Sequence, residues 1–227
     1  MSRRGGGQRI PRPTAWKEGG PPPWSNGDAA ALTLSNLRAR LAQRGPGRPT
    51  PIDMEGTRES AVLVALFLDA SEVHVLLTLR SQHLTNHRGE VSFPGGRLDP
   101  GETAVGAALR EAAEEIGLDP RRVEIIGSLD DVATVGSRSL IHAVVGLLPG
   151  RPTELRPSPH EVDRVLFVPL AELSGEGVFR EERWGEAPLE RSVYFFELAD
   201  ETVWGATARM LVNLLCIAYG VDDAPDR

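Results

Sequence analysis

The stretch GRLDPGE (Gly96–Glu102) is followed, after seven residues, by REAAEEIGL (Arg110–Leu118), and together they decide how the rest of the chain is read. A Gly-rich turn enters a short helix, expected over Glu102 to Ile116, and Gly117 supplies its C-terminal stop. Glu111, Glu114 and Glu115 stand at i, i+3 and i+4, so their carboxylates share one side of that helix. Such a face attracts a hard divalent cation, and oxygen-bound Mg²⁺ commonly keeps phosphates among its ligands. Three acids can also simply solvate an exposed face, because like-charge pairs at this spacing cost only about 0.2–0.5 kcal/mol.

The wider spacing favours the chemical reading. It resembles the Nudix box, G-x5-E-x7-R-E-U-x-E-E-x-G-U, in which U is a bulky aliphatic residue. Gly96, Glu102, Arg110, Glu111, Glu114, Glu115, Gly117 and Leu118 all fall in register, and Ala112 departs at a core-facing U. The resemblance implies a hydrolase that uses Mg²⁺ or Mn²⁺ on a small-molecule nucleotide diphosphate. Glu111 and Glu115, one helical turn apart, would share the cation, with Glu114 and Glu102 adding ligands directly or through water. Arg110 would orient a carboxylate or touch phosphate. Gly95 and Gly96 let the backbone approach the substrate. The general base stays open between Glu114 and Glu161.

Upstream lies LLTLRSQHLTNHRGEVSFPGG (Leu76–Gly96). It resembles the signature of the coenzyme A pyrophosphatase branch, L-L-T-x-R-S-x-x-L-R-x-H-x-G-Q-V-S-F-P-G-G. Thr85 stands where the signature has a basic residue, and Glu90 where it has Gln. Segments at Glu161–Leu170 and Val203–Arg209 are similar to later parts of the same branch, so the likeness runs from about Arg58 to Ile217. It implies cleavage of coenzyme A or acyl-CoA to 3′,5′-ADP and 4′-phosphopantetheine derivatives. The two departures keep open another nucleoside diphosphate derivative, such as ADP-ribose, NADH or a modified NTP. A non-catalytic nucleotide-binding module is the rival from a different class. Read by chemistry alone, Arg80, His87 and Arg88 gather in a polar loop ahead of the Gly turn. There they can clamp a phosphate, or serve only a surface ion pair and a loop hydrogen bond.

With 227 residues, 41% of them hydrophobic, the chain reads as one globular domain with extensions. Boundaries are expected at 1–27 (a disordered Gly/Pro/Arg-rich tail), 28–55 (an N-terminal helix and linker), 56–220 (the hydrolase domain) and 221–227 (a C-terminal tail). No apolar run reaches the roughly 18–20 residues of a membrane span, and no secretory pattern is visible, so a cytoplasmic setting is expected. The single Cys216 excludes an intramolecular disulfide and reads as an inert buried thiol. Residues 1–50 carry nine Lys/Arg against two acids within a chain of net charge −7. A basic tail of this kind can meet nucleic acid, but without aromatic interleaving that partner is not expected. No membrane partner is expected, and a homodimer is left open.

The coarse pattern is a helix from Asp28 to Arg44 and a buried strand at Ala61–Leu68. An antiparallel partner follows at Glu72–Arg80, then a polar loop from Ser81 to Ser92 and the box helix. Strands are expected at Val123–Leu129, Leu140–Leu148, Val165–Val168 and Val193–Leu198, with a closing helix at Gly205–Tyr219. This argues for an α/β fold with helices on the faces of a mixed sheet. The resemblance sharpens it to a Nudix α/β/α sandwich with an N-terminal helix and a disordered basic tail.

Overall fold

Ala61, Leu63, Ala65 and Phe67 face one side of a buried strand, while Val64 and Leu66 face the other. That strand is covered on both faces, which is why its sequence reads as continuously apolar rather than alternating. The computed structural model describes residues 5–8, 10–50, 56–84, 87–134 and 138–221. In chain order its first elements are β1 (Trp16–Glu18), α1 (Leu34–Arg44), β2 (Arg58–Asp69), β3 (Glu72–Arg80), β4 (Val91–Ser92), β5 (Gly95–Arg97) and α2 (Ala104–Ile116). Then come β6 (Glu124–Ser128), β7 (Val132–Thr134), β8 (Ser139–Leu147), β9 (Val162–Pro169) and α3 (Leu170–Leu173). The chain closes with β10 (Phe179–Trp184), β11 (Arg191–Glu197), β12 (Thr202–Trp204) and α4 (Gly205–Tyr219).

The larger sheet runs β4-β3-β2-β8-β6, with β5 also on β2, β7 on β8 and β9 on β3. The β2–β8 pair is parallel and the others are antiparallel, so the sheet is mixed as expected. On one face lies α2, whose Ala107, Ala108, Ala112 and Ile116 pack on Ala61, Ala65 and Phe67. Small residues on both surfaces let helix and sheet approach closely. Ala112, the departure from the box, is fully buried there. The opposite face is covered by α1, α4 and the second sheet, completing an α/β/α sandwich. Among the described residues no helix is long and apolar enough to cross a membrane.

Several boundaries differ from the sequence reading. Asp28 caps only a single 3₁₀ turn, Ala29–Ala31, and α1 starts after Thr33, whose Oγ1 accepts the Asn36 N–H. Likewise α2 starts after Thr103, which accepts the Gly106 N–H, so Glu102 stands outside the helix. Gly117 is the left-handed cap at φ 68°, as its place in the sequence implied.

The larger difference is the second sheet, β1-β10-β11-β12, of which only β11 was legible. Strand β10 reads FREERW, four charges between two aromatics. Those charges are matched across and along strands: Arg180 pairs with Glu182 and Glu197, and Arg183 with Glu181. The expected disorder of the N-terminal tail does not hold for its described part. Trp16–Glu18 adds a strand to β10. Arg12 binds the buried Glu182 carboxylate, which also accepts the Trp184 Nε1–H at 2.7 Å. Trp24 is buried between Phe196 and Tyr219, stacked at 6.2 and 6.4 Å. Composition marks this segment as low in hydrophobicity, yet one large aromatic in a ready-made slot anchors it.

Candidate active site

Helix α2 and strand β5 bring the box residues together. Arg110 is the hub. Its Nε and Nη2 donate to the two oxygens of Glu102 at 3.1 and 3.0 Å, and Nη1 donates to Glu111 at 2.9 Å and Glu114 at 3.2 Å. A further bond runs from Nη2 to the Arg97 carbonyl at 2.9 Å, which fixes the helix to β5. Arg110 is thereby held protonated, and the Glu102 carboxyl is pulled below its ordinary range, mainly by Arg110 and also by the Asp99 N–H.

Glu115 lies apart from that group. Its side chain is only 6% exposed, against 58% for Glu114. It accepts the Gly95 N–H at 3.4 Å, and Arg80 Nη1 stands 3.5 Å from its Oε1. Burial pushes its carboxyl up to about 7; Arg80 and the Gly95 N–H oppose the rise, and the nearby Glu111 and Glu161 carboxylates add to it. The Glu161 carboxylate thus bears on the charge of Glu115, and its carbonyl accepts the Ser81 N–H at 2.8 Å, next to Arg80. The chain ahead of Glu161 runs along the end of α2, with Arg156 N–H on the Ile116 carbonyl and Ser158 N–H on the Glu115 carbonyl, both at 2.8 Å.

The two glycines do different things. Gly95 sits against β2, where a Cβ would meet the Val62 Cα at 2.7 Å and overlap the Ala61 carbonyl. At Gly96 a Cβ would instead overlap the Glu111 carboxylate, so the missing side chain is the space Glu111 occupies.

Residues 57–191 match the NUDIX domain family. The chain belongs to the Nudix family. It is 36% identical to Nudix hydrolase 22 of Arabidopsis thaliana over 172 residues, which are 71% of this chain and 56% of that protein. It is 33% identical over 187 residues to the uncharacterized Nudix hydrolase NudL of Photorhabdus laumondii, covering 81% of this chain and 96% of the relative. This Nudix chain thus spans little more than half of one relative and nearly all of the other. A MutT/nudix family protein from Enterococcus faecalis shares the fold, with a TM-score of 0.50, 16% identity, 80% of this chain covered and 68% of that one.

Of the residues singled out in the sequence, this Nudix site gathers Gly95, Gly96, Glu102, Arg110, Glu111, Glu114, Glu115, Arg80 and Glu161. His87 and Arg88 stay on the loop. His87 has φ 54° and pairs its Nδ1 with Glu90 at 2.9 Å, so one departure from the signature serves a local contact. Arg88 is exposed and, among the described residues, makes no ion pair; Thr85 lies outside the described residues.

Among the described residues, no three acids or other ligating side chains form a ready cluster for a metal, and Arg110 bridges Glu102, Glu111 and Glu114. The donors nevertheless fit a hard cation. The carboxylates of Glu111 and Glu115 are oxygen donors of the kind such an ion takes, and Gly96 leaves Glu111 its room. The sequence reading missed the segment from Arg156 to Ser158 that braces α2. Its prolines at 157 and 159 signal extended chain, but not the helix end it meets.

Proposed function

We propose that this Nudix chain is a pyrophosphohydrolase that uses Mg²⁺ or Mn²⁺ to open the diphosphate of a nucleoside diphosphate derivative. The observation that carries the reading is the arrangement of Glu111 and Glu115 beside the glycine strand, with Glu161 tied by its carbonyl to the residue after Arg80. Glu111 and Glu115 would hold the cation, and Glu102 and Glu114 would contribute through Arg110 or water. Bound there, a divalent cation neutralises phosphate charge and lowers the pKa of a water.

The chain's own groups account for the rest. Gly95 and Gly96 admit the diphosphate close to the backbone. Glu161 suits proton acceptance from the attacking water, since Glu114 is turned to solvent and held by Arg110. The water oxygen bonds to one phosphorus, the bond from that phosphorus to the bridging oxygen breaks, and the second phosphate leaves with the electron pair. Water adds across one linkage and two monophosphates result.

Within this class coenzyme A is the finer reading. It is supported by the likeness of Leu76–Gly96 to the coenzyme A pyrophosphatase signature, and by Arg80 standing at the base of that loop beside Glu115. The test is hydrolysis in ¹⁸O-water with Mg²⁺ or Mn²⁺, comparing coenzyme A, dephospho-coenzyme A, ADP-ribose, NADH and 8-oxo-dGTP by mass spectrometry. Highest kcat/KM on coenzyme A with release of 3′,5′-ADP supports the finer reading. A preference for ADP-ribose, NADH or 8-oxo-dGTP removes it and leaves the broader one. No turnover of any compound removes both and favours a binding module.

A further inference from the structure

Arg80 lies outside the box helix but inside its charge balance. It ends β3, and the β3–β9 register shifts between Leu79 and Arg80, an irregularity of the kind that re-aims a side chain beside a site. The backbone of Arg80 closes the loop that follows, with its N–H on the Glu90 carbonyl at 2.9 Å and its carbonyl accepting the Gly89 N–H at 3.1 Å. The next N–H, from Ser81, goes to the Glu161 carbonyl at 2.8 Å. Arg80 and Ser81 thus join the loop, the turn carrying Glu161 and the buried end of α2.

The guanidinium is held but not satisfied. Nη1 faces Glu115 at 3.5 Å, a charge contact longer than a good hydrogen bond, and Nε is buried without a hydrogen-bond partner. The two arginines divide the carboxylates. Arg110 serves Glu102, Glu111 and Glu114, whereas among the described residues Arg80 is the only basic side chain within 4 Å of Glu115. A divalent cation shared by Glu111 and Glu115 would therefore meet a fixed positive charge. A diphosphate beside Gly95 would meet that same charge favourably, together with an N–H in need of an acceptor.

We propose that Arg80 couples cation binding to diphosphate binding: through Glu115 it weakens the hold on a divalent cation alone, and its charge draws the anionic diphosphate that restores the balance. The inference rests on the site proposed above and concerns its order of assembly. Cation and diphosphate bind best together, and linkage makes the effect reciprocal.

The test compares the full chain with Arg80→Gln and Arg80→Lys at pH 8.5 under nitrogen. Mn²⁺ affinity is measured by electron paramagnetic resonance without nucleotide. The affinity for the non-hydrolysable diphosphate α,β-methylene-ADP is measured by calorimetry in EDTA. Arg80→Gln should bind Mn²⁺ at least about 5-fold tighter and the analogue at least about 5-fold weaker, opposite signs that a loss of structure cannot produce. Arg80→Lys, which keeps the charge, should stay within about 3-fold of the parent on both. If Arg80→Gln fails to fold, Arg80→Met retains the apolar stem and carries the same comparison. Weaker or unchanged Mn²⁺ binding, or unchanged analogue binding, in the uncharged variant overturns the proposal. A parent that binds Mn²⁺ and analogue but hydrolyses none of the substrates would overturn the proposed function and leave this coupling standing.

Discussion

Gly96 and Glu111 share one space: the volume a Cβ would fill at Gly96 is taken by the carboxylate of Glu111. Gly96→Ala should therefore move a flexible side chain rather than the main chain. Stability should change by less than about 1 kcal/mol while kcat falls roughly 100-fold, the scale of an ångström misplacement at a reacting centre. Gly95→Ala is the contrast, because its Cβ would press on the backbone of Ala61 and Val62. Its loss should appear first in the thermal midpoint. Equal midpoint losses in the two variants would contradict this division.

Glu115 should cost the protein stability when no cation offsets its charge. Its carboxyl is raised from 4.5 to about 7 by burial, so the folded chain holds that proton more tightly than the unfolded chain does. The stabilising contribution is complete below about pH 4.5 and is lost as pH rises through about 7. In EDTA at pH 8, Glu115→Gln should be more stable than the parent by up to about 3 kcal/mol, and the gap should close toward pH 4.5. Urea unfolding at both pH values measures it, and a parent at least as stable as the variant at pH 8 would contradict it.

Cation dependence should be complete. EDTA should abolish hydrolysis, and added Mg²⁺ or Mn²⁺ should restore it. Glu111→Gln should lower kcat/KM by about 100-fold or more, at the scale of losing one preorganised charge interaction. Full activity of that variant would show that Glu111 is not a cation ligand.

Trp24 should anchor the N-terminal segment. Trp24→Ala should cost about 3–5 kcal/mol in urea unfolding, as for a large buried aromatic. Lys17→Ala, on an exposed strand with a surface pair to Glu190, should change stability by less than about 1 kcal/mol. A silent Trp24→Ala would mean that the segment docks without contributing to stability.

Local chemistry made much of this protein readable. Ala61–Leu68 declared a buried strand because both of its faces are covered. Gly117 declared a helix end because that cap needs a left-handed residue. The spacing of Glu111, Glu114 and Glu115 gave a shared face because helical geometry fixes it. Strand β10 was hidden for the opposite reason. Its four charges make it read as a solvated segment, and what holds it in a sheet, Glu197 on β11 and Arg12 of the N-terminal segment, lies far from it in sequence.

Residue types and their spacing alone therefore determined an α/β domain of Nudix pattern with an acidic helix face. Tertiary structure decided which carboxylates work together. It gave Glu102, Glu111 and Glu114 to Arg110, and buried Glu115 against Gly95 and Arg80. It also seated Trp24 on a sheet whose edge the N-terminal segment completes. The physical reason is range. Helix periodicity and caps act within a few residues, while charge pairing and burial depend on where distant segments meet.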